Sequence, residues 1–275
     1  MPFESHLQND LVWLTSPLLS RCVPEVRHGF STRKGGVSPA PWDSLNLRIG
    51  CEDTQENLQE NYRRFCGAVG VNMDGTVMSR QVHETTVRVC HAEDAGKGLF
   101  SPRNYTADAL VTREPALPLV VFSADCGIIL LYDPVQRAIG AIHAGWRGCA
   151  AGIVEKTVQT MQDVFSSDPS HIIAAIGPCI GQCCFETDDD VADAMMAALG
   201  REEAIPYLER HGSKWHVDLA GLNRQWLLRA GLVPGHIDVC GLCTACHPDL
   251  FWSHRKMGDA RGAQIAMISL PEKTL

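Results

Sequence analysis

Residues 117–148 read LPLVVFSADCGIILLYDPVQRAIGAIHAGWRG, and this stretch decides the fold. It contains three short apolar runs whose length and β-branched content are typical of strands buried on both faces. These runs cover 117–123, 128–132 and 138–142. Turns rich in glycine and polar residues lie between and after them, so we predict consecutive buried strands that carry accessible polar groups at their ends.

The segment after these strands predicts a helix. Over 150–165, apolar residues such as Val154, Val158 and Met161 recur at helical spacing. The same criteria predict three further helices and seven further strands in the rest of the chain. The helices cover 52–69, with Thr54 as its cap, 188–199 and 219–230, and the strands cover 28–32, 76–78, 85–89, 107–112, 172–176, 237–240 and 264–268.

Strands and helices alternate in this pattern without a strict βαβ repeat. The sequence therefore predicts the α/β class, with a mixed β-sheet covered by helices. It shows no internal repeat, low-complexity tract or long linker, so we expect a single domain over residues 1–275. Neither a Rossmann glycine motif nor a P-loop is present.

Composition limits the classes of partner. The chain has 275 residues, of which 45% are hydrophobic, and a formal net charge of −8 without any block of lysine or arginine. This argues against nucleic acid or an anionic membrane as a partner and favours a small molecule. The sequence lacks a long uncharged apolar run and the basic-then-apolar layout of a signal peptide, so we expect a cytoplasmic protein. With no association helix evident, a monomer is expected.

Twelve cysteines are many for such a protein, and we expect them to be reduced. Several lie in apolar surroundings and read as small buried residues. Two groups are harder to explain in this way: Cys179, Cys183 and Cys184, and the run Cys240, Cys243, Cys246 and His247. The second group could ligate zinc, although zinc sites usually combine two pairs of ligands separated by a longer gap. Both interpretations stay open.

Polar residues at three strand ends suggest a catalytic centre. His83 follows a short strand in Arg80-Gln81-Val82-His83, Cys126 lies between two apolar runs, and His143 ends a third. Two histidines and one cysteine suit a catalytic zinc that keeps its fourth position open, and they also suit copper. A bound divalent ion would lower the pKa of its water, which serves hydrolysis or deamination. Asp125 and Glu84 could orient the imidazoles or move protons.

Simpler explanations exist for these residues. Each histidine, taken singly, could be a satisfied core or surface residue, and Cys126 could be a buried apolar side chain. Gly145 and Gly148 with Arg147 could form an anion pocket at the start of the helix, or only a turn with a solvated arginine. Likewise, the aromatic pair in Phe-Trp-Ser-His-Arg at 251–255 could stack on a planar base or pack in the core.

Taken together, the motifs resemble one family along nearly the whole chain. They are His-Gly-Phe-Ser-Thr-Arg at 28–33, Ser-Leu-Asn-Leu at 44–47, Gln-Val-His at 81–83, Ala-Asp-Ala at 107–109, Ala-Asp-Cys at 124–126, His-Ala-Gly-Trp-Arg-Gly at 143–148, Ile-Gly-Pro-Cys-Ile at 176–180 and Phe-Trp-Ser-His-Arg at 251–255. In this order they are similar to the YfiH family, also called the multicopper polyphenol oxidase or laccase-domain family.

The resemblance implies a single-domain α/β sandwich and a zinc site formed by His83, Cys126 and His143. It also implies a purine nucleoside phosphorylase that cleaves adenosine, inosine and S-methyl-5'-thioadenosine with phosphate and that deaminates adenosine through a zinc-activated water. By their positions in the motifs, Arg33 and Arg147 are the candidates for phosphate or ribose contacts. Many relatives continue from the last motif into Asp-Gly-x-Thr-Gly-Arg, whereas this chain departs from that pattern before Arg261, so a role for Arg261 is in doubt.

Three other functions stay open. A copper polyphenol oxidase is consistent with the older family name, but the chain has 11 histidines and no His-x-His pair, which disfavours a three-copper cluster. A cysteine hydrolase that edits peptidoglycan precursors would use Cys126 as a nucleophile activated by His143. A non-enzymatic binding module would leave the His-Cys-His set unexplained.

Overall fold

The computed structural model describes residues 2–272. Its strands are β1 (Glu4–Gln8), β2 (Leu11–Thr15), β3 (Arg27–Ser31), β4 (Val77–Met78), β5 (Val87–Val89), β6 (Ala109–Thr112), β7 (Leu119–Ser123), β8 (Gly127–Asp133), β9 (Ala138–Ala144), β10 (Ile173–Ile176), β11 (Glu186–Thr187), β12 (Leu208–His211), β13 (Lys214–Val217), β14 (Ile237–Val239) and β15 (Gln264–Ser269). The α-helices are α1 (Pro17–Ser20), α2 (Gln55–Val69), α3 (Trp146–Ala150), α4 (Ile153–Phe165), α5 (Asp189–Leu199), α6 (Arg201–Ala204), α7 (Leu219–Arg229) and α8 (His254–Met257).

Within these residues the strands form two six-stranded sheets and one small sheet. The first sheet has the order β1-β2-β3-β15-β7-β4, the second has the order β14-β10-β8-β9-β6-β5, and β11-β13-β12 form the third. Both large sheets are mixed: β4 pairs in parallel with β7, β5 with β6, and β10 with β14, among antiparallel neighbours. The predicted α/β architecture of mixed sheet and covering helices is confirmed, and the strands divide between two large sheets.

Side chains alternate along the central strands and sort the molecule into layers. Leu119 and Val121 of β7 share one apolar core with Ile128 and Leu130 of β8, between the two large sheets. The opposite face of β7 packs with α2. On the second sheet, the outer face packs with α4, α5 and α7. The order of layers is therefore helix, sheet, sheet, helix.

The predicted helices are present, and one of them begins later than predicted. Thr54 caps α2 by accepting a hydrogen bond from the Asn57 amide, as its position before the apolar stripe predicts. The helix predicted over 150–165 is α4, which begins at Ile153 because Gly152 adopts a left-handed conformation (φ 75°), and the short helix α3 precedes it. Inside residues 2–272, no helix combines the length and the apolar character required to cross a bilayer.

Sequence periodicity did not predict the β1–β2 hairpin or the small sheet. The strand β1 reads Glu-Ser-His-Leu-Gln and is mostly exposed, so it lacks the apolar pattern of a buried strand. The strands β12 and β13 consist mostly of exposed or half-buried residues, so they lack that apolar pattern too. These strands were therefore missed, because their residues show no apolar pattern that a single sequence can reveal.

The chain crosses from the first sheet to the second between Ser123, which ends β7, and Gly127, which begins β8. In the second sheet, Gly127 pairs with Ala144 and Ile128 pairs with His143. Next to them, Ala109 of β6 pairs with Ile142 of β9. This register brings the crossover, the end of β9 and the start of β6 together at one end of the sandwich.

Candidate active site

His83, Cys126 and His143 meet at this end of the sandwich. One ligating atom from each residue lies within 4.8 Å of the other two. The Cys126 Sγ atom is 3.8 Å from Nε2 of His83, and the two imidazole rings meet edge to face with centroids 4.8 Å apart. The structure thus brings together the three residues that the sequence placed at separate strand ends.

Asp108 holds both histidines in place. Its carboxylate is fully buried, and its Oδ1 lies 2.8 Å from Nδ1 of His143, which leaves Nε2 of that ring for the centre. The same carboxylate accepts hydrogen bonds from the backbone amides of Val82, His83 and Glu84. Although burial would raise the pKa of Asp108, its hydrogen bonds from His143 and these amides lower it below the usual value.

The loop that carries His83 is also tied to the first sheet. The Gln81 side chain accepts a hydrogen bond from the Phe122 amide at 2.7 Å and donates one to the Phe122 carbonyl at 2.9 Å. It therefore pairs with the end of β7 as a strand residue would. His83 itself has a positive φ of 63°, a strained backbone conformation that these contacts fix.

The crossover loop that carries Cys126 is fixed through Asp125. This residue has a φ of 91°, and its Oδ1 accepts a hydrogen bond from the Thr244 hydroxyl at 2.6 Å. Its Oδ2 accepts another from the Arg255 amide at 2.7 Å. Asp125 therefore anchors the loop to two later segments and does not bind either imidazole. Glu84, the other predicted orienting acid, is exposed and contributes its backbone amide to Asp108.

The electrostatics of the group favour a thiolate next to an imidazolium, or a thiolate bound to a cation. Burial alone would raise the pKa of Cys126, but the neighbouring His143 and His83 lower it to about 6. Burial alone would lower the pKa of His143, but the Cys126 sulfur and the Asp108 carboxylate raise it to about 9. A thiolate is the form of cysteine that binds metals.

The arrangement fits a three-ligand metal site. In a tetrahedral zinc site, Zn–S of about 2.3 Å and Zn–N of about 2.0 Å separate sulfur from nitrogen by about 3.5 Å. The 3.8 Å between Cys126 and His83 is close to this value. The Asp108–His143 pair also matches the carboxylate-histidine pairing found behind metal ligands. Gly145 provides the space that the Cys126 and His83 side chains occupy, because a Cβ at this position would lie 2.9 Å from Cys126 Sγ and 3.1 Å from His83 Cδ2.

Two cavities of opposite character meet at the group. The first is an open cavity of about 660 Å³ whose lining includes Arg48, Arg103 and Arg261, and we call it the arginine cavity. The second, of about 780 Å³, is lined mainly by Trp146, Ile180, Phe185 and Leu219, with His254 and Arg255 at its wall, and we call it the apolar cavity. His83, Cys126 and Arg261 line both.

Arg261 lies where the two cavities join, and the attraction of Cys126, Asp125 and Asp259 offsets only part of the effects that lower its pKa. Burial and the charge of Arg48 lower the pKa of its guanidinium. One of its Nη atoms donates to the Gly262 carbonyl, while its buried Nε has no hydrogen-bond partner among residues 2–272. An anion in the arginine cavity would satisfy this donor and relieve the repulsion between the two arginines.

The two arginines predicted from the motifs lie elsewhere. The Arg33 guanidinium donates to the carbonyls of Asp43 and Pro248 and stacks over Trp252 at 4.0 Å. Arg147 is exposed and packs over the ring of Trp146 at 4.2 Å. Neither arginine lines the arginine cavity or the apolar cavity. Helix α3 begins directly after Gly145, and its first residue, Trp146, forms part of the apolar cavity.

The aromatic pair at 251–252 packs in the interior. Phe251 and Trp252 are both fully buried, whereas the next two residues, His254 and Arg255 after the cap Ser253, reach the apolar cavity. Sequence reasoning did not single out Asp108, Arg48 or Arg103. Asp108 lies in the Ala-Asp-Ala motif at 107–109, but only the pairing of β6 with β9 in the structure shows that it lies beside His143.

Two stacked mixed sheets with a His-Cys-His group between two cavities define an α/β-sandwich protein with a candidate metal centre. A family model described as multi-copper polyphenol oxidoreductase laccase matches residues 27–271, and the chain belongs to this family. The resemblance to YfiH proteins is confirmed by relatives of that name, including one from Escherichia coli that is 34% identical over 82% of this chain and 86% of its own length.

Relatives from other organisms have a common printed name. A purine nucleoside phosphorylase of Deinococcus radiodurans is 38% identical over 94% of both chains. Purine nucleoside phosphorylase YlmD of Geobacillus stearothermophilus is 34% identical over 89% of this chain and 90% of its own. The crystal structure of YlmD from that organism has a TM-score of 0.90 with this chain at 32% identity, covering 98% of this chain and 99% of the other.

Proposed function

We propose that the protein is a purine nucleoside phosphorylase that cleaves adenosine, inosine and S-methyl-5'-thioadenosine with phosphate. We further propose a secondary adenosine deaminase activity and a zinc ion held by His83, Cys126 and His143. The observation that carries the proposal is the position of this group at the junction of a cationic and an apolar cavity. The names of the relatives support the same reaction class. One domain acting as a monomer in the cytoplasm completes the proposal.

The arginine cavity is suited to phosphate. Guanidinium groups bind phosphate oxygens in a planar, often bidentate geometry, and three of them line this cavity. Arg48 is oriented by its hydrogen bonds to the carbonyls of Asp259 and Arg261. Arg103 comes from a separate segment, and its half-buried side chain has a lowered pKa, because burial disfavours its charge. Bound phosphate would offset the cost of burying the guanidinium groups of Arg103 and Arg261.

The apolar cavity is suited to the nucleoside. Trp146 and Phe185 offer aromatic surfaces, and Ile180 and Leu219 complete an apolar lining on which a planar purine can stack. His254 and Arg255 supply polar groups at the wall of the same cavity. A nucleoside bound there would direct its glycosidic carbon toward the junction, where phosphate from the other side can reach it.

Zinc, when bound, would supply a Lewis acid that can activate water for deamination. The protein's own residues do the positioning. Asp108 fixes the ring orientation of His143, and the same carboxylate fixes the backbone of His83. In phosphorolysis, the bond between the base and C1' breaks while an oxygen of hydrogen phosphate bonds to C1', and the proton that this phosphate gives up ends on the leaving base. Arg261, at the junction, is placed to hold the attacking phosphate in line.

Two alternative activities depend on the same residues. A polyphenol oxidase would need ligands for several copper ions, yet the two ligand groups among residues 2–272 contain two histidines between them. A cysteine hydrolase would need Cys126 as a free nucleophile, and the lowered pKa of this thiol would serve attack as well as ligation. Stoichiometric zinc lost on substitution of Cys126 would distinguish ligation from attack.

The decisive experiment incubates purified protein with adenosine, inosine or S-methyl-5'-thioadenosine, with and without phosphate, and separates the products by chromatography. We expect phosphate-dependent release of the base, a smaller amount of inosine from adenosine, and loss of both in Cys126→Ala. Cys22→Ala, which changes a half-buried cysteine outside both cavities, should retain activity. No turnover of any purine nucleoside, or full activity in Cys126→Ala, would refute the proposal.

A further inference from the structure

Four cysteine side chains outside the candidate active site converge on one point. They are Cys183 and Cys184, from the loop after β10, and Cys243 and Cys246, from the loop after β14. All four Sγ atoms lie within 4.8 Å of one another. The Cys246 sulfur is 3.4 Å from those of both Cys183 and Cys184. We call these four residues the tetrathiol group.

Parallel pairing explains why two distant parts of the chain meet here. The strands β10 and β14 run side by side, and Ile176 pairs with Val239 near their ends. The pairing continues into the loops, because the Thr244 amide donates to the Cys179 carbonyl and Cys179 forms a bridge with Cys243. Each loop then brings two cysteines to the same side. Two ligand pairs far apart in sequence are the usual arrangement of a zinc site.

The spacing of the sulfur atoms is that of ligands around one ion. Four thiolates at about 2.3 Å from a tetrahedral zinc lie about 3.8 Å from each other, whereas a disulfide joins sulfurs at about 2.05 Å. The Gly181 amide donates to the Cys243 sulfur at 3.2 Å, a contact that stabilises a thiolate. A Cβ at Gly181 would lie 3.0 Å from Cys243 Cβ and 3.3 Å from Cys183 Sγ, so the absence of a side chain leaves space for the sulfurs.

We propose that Cys183, Cys184, Cys243 and Cys246 bind a second zinc ion as a closed, four-thiolate structural site. Zinc with four thiolates carries a net charge of −2, and a cation is close by. The Arg255 guanidinium donates to the carbonyls of Cys184 and Glu186, each at 3.0 Å. This site differs from the His-Cys-His centre, because all four positions around the ion are filled by protein.

Apart from the backbone contacts at Cys179 and Gly181, the two loops share only a small apolar core. Their apolar cluster contains three buried residues, Ile180, Cys243 and Ala245. Two of the four cysteines, Cys183 and Cys246, are exposed. Free thiols at the surface contribute little to stability, whereas a bound zinc ion cross-links the segments that supply its ligands. The proposed ion therefore supplements the small core of these loops.

The proposed site supports one wall of the active site. Phe185, next to Cys184, lines the apolar cavity, and Thr244, next to Cys243, holds the Asp125 carboxylate. The Ile180 amide donates to the Asp125 carbonyl at 2.8 Å. Through these contacts, the loops fix the backbone immediately before Cys126. The role is positional, and it is independent of the reaction at the His-Cys-His centre.

Metal content tests the proposal directly. We expect mass spectrometry of untagged protein, purified without chelators, to find two zinc ions per chain in the wild type and one in Cys126→Ser. The double variant Cys183→Ser/Cys246→Ser should also hold one. Cys240→Ser is the matched control, because Cys240 shares the three-residue spacing with Cys243 and Cys246 but lies outside the tetrathiol group, and it should hold two.

A second measurement uses chains with an intact tetrathiol group. In the wild type, exposed Cys183 and Cys246 should resist alkylation and react at least tenfold faster after addition of a chelator, as peptide mapping would show. Rapid alkylation before chelation, a disulfide within the group, iron in place of zinc, or Cys126→Ser protein free of zinc would each overturn the proposal. Because Cys126→Ser removes the other centre, none of these results depends on phosphorylase activity.

Discussion

Two candidate metal sites that include cysteine lie near each other in this molecule, and they are held in place by different kinds of contact. His83, Cys126 and His143 lie near the ends of buried strands. The buried Asp108 carboxylate holds the two histidines, and Asp125 anchors the loop of Cys126. The tetrathiol group sits on two loops, and two of its four cysteines are exposed. The first group faces two cavities, whereas none of the four cysteines lines either cavity.

The difference indicates that the strands and hydrogen bonds of the fold position the His-Cys-His centre, whereas the metal in the tetrathiol group would itself stabilise the loops that hold it. Hydrogen bonds and the register of β6, β8 and β9 set the positions of His83, Cys126 and His143. Removal of the metal should therefore leave that geometry largely intact. The tetrathiol group lies on loops with a small apolar core and two exposed cysteines, so its geometry should depend more on the ion that it binds. Substitutions directed at one group should therefore leave the metal content of the other unchanged, although the loops of the tetrathiol group contact Asp125.

The largest effect is expected for Gly145→Ala, which breaks the first group alone. The added methyl would lie 2.9 Å from Cys126 Sγ, so either the sulfur or helix α3 must move. We expect the rate of phosphorolysis to fall by about 10³-fold or more, equivalent to about 4 kcal/mol in the barrier, with loss of one zinc ion. Steady-state kinetics and metal analysis measure both.

Gly148→Ala is the control in the same motif. Its Cβ would have no neighbour closer than 3.4 Å, and the residue lies within α3, where alanine is favoured. This variant should keep both its activity and its two zinc ions. Equal activity in the two variants would mean that close approach at Gly145 does not maintain the His-Cys-His centre.

A smaller loss is expected for Asp108→Asn, which weakens the first group without changing its size. The amide retains one acceptor for the surrounding N–H groups but removes the charge behind His143. Substitution of such partners typically costs 10-fold to 100-fold in metal affinity or activity, and we expect about 100-fold here. Competition with a zinc chelator measures the affinity at each centre, and only the His-Cys-His centre should weaken.

Asp133→Asn is the control for Asp108→Asn, because it shows whether neutralising any buried aspartate weakens zinc binding. Asp133 is also fully buried, but it lies at the other end of β8, where it accepts hydrogen bonds from the amides of Val135 and Gln136. This variant should keep wild-type zinc affinity at both centres. If Asp108→Asn retained its zinc affinity and activity, the carboxylate would have no positioning role.

The same contrast explains what the sequence could predict. The amphipathic helices were predictable because apolar side chains recur at the helical period, and the buried strands because they are short, β-branched apolar runs bounded by turn residues. The stretch 117–148 shows this in β7, β8 and β9, each found within two residues of its predicted bounds. The exposed strands β1 and β12 carry no such period and were not predicted.

Site residues followed a similar division. His83, Cys126 and His143 were recognisable, because each stands out as polar at the end of an apolar run. Asp108 required knowledge that β6 pairs with β9, and the two halves of the tetrathiol group required knowledge that β10 pairs with β14. Pairing between distant strands is set by tertiary packing, which a single sequence does not reveal. Arg48 and Arg103 lie on separate loops and depend on that packing too.

Substitution of single arginines tests whether phosphate binds in the arginine cavity or at the arginine that the sequence motif suggested. Arg261→Gln should raise the KM for phosphate by about 10-fold, which corresponds to loss of one charge-assisted hydrogen bond of about 1.5 kcal/mol. Both centres should keep their zinc. Initial rates at varied phosphate, with saturating nucleoside, measure the change.

Arg147→Gln tests the residue that the motif suggested. Arg147 is exposed, lies against Trp146 and lines neither cavity. The KM of the Arg147→Gln enzyme for phosphate should therefore stay within about twofold of the wild-type value. A larger effect for Arg147→Gln than for Arg261→Gln would place the phosphate at the start of α3. The arginine cavity would then be excluded as the phosphate site.

The smallest effect on catalysis is expected for Gly181→Ala, the counterpart of Gly145→Ala in the tetrathiol group. Its Cβ would lie 3.0 Å from that of Cys243, so the loops must shift apart. We expect overpacking to cost about 1–3 kcal/mol of stability, seen as a lower Tm, with weaker zinc binding at this group and a less than threefold change in kcat. Gly67→Ala, in open space on α2, should raise Tm slightly. If Gly181→Ala instead lost the zinc of the His-Cys-His centre, the two groups would form one coupled unit, because a change confined to the loops would then have disturbed the end of the sandwich.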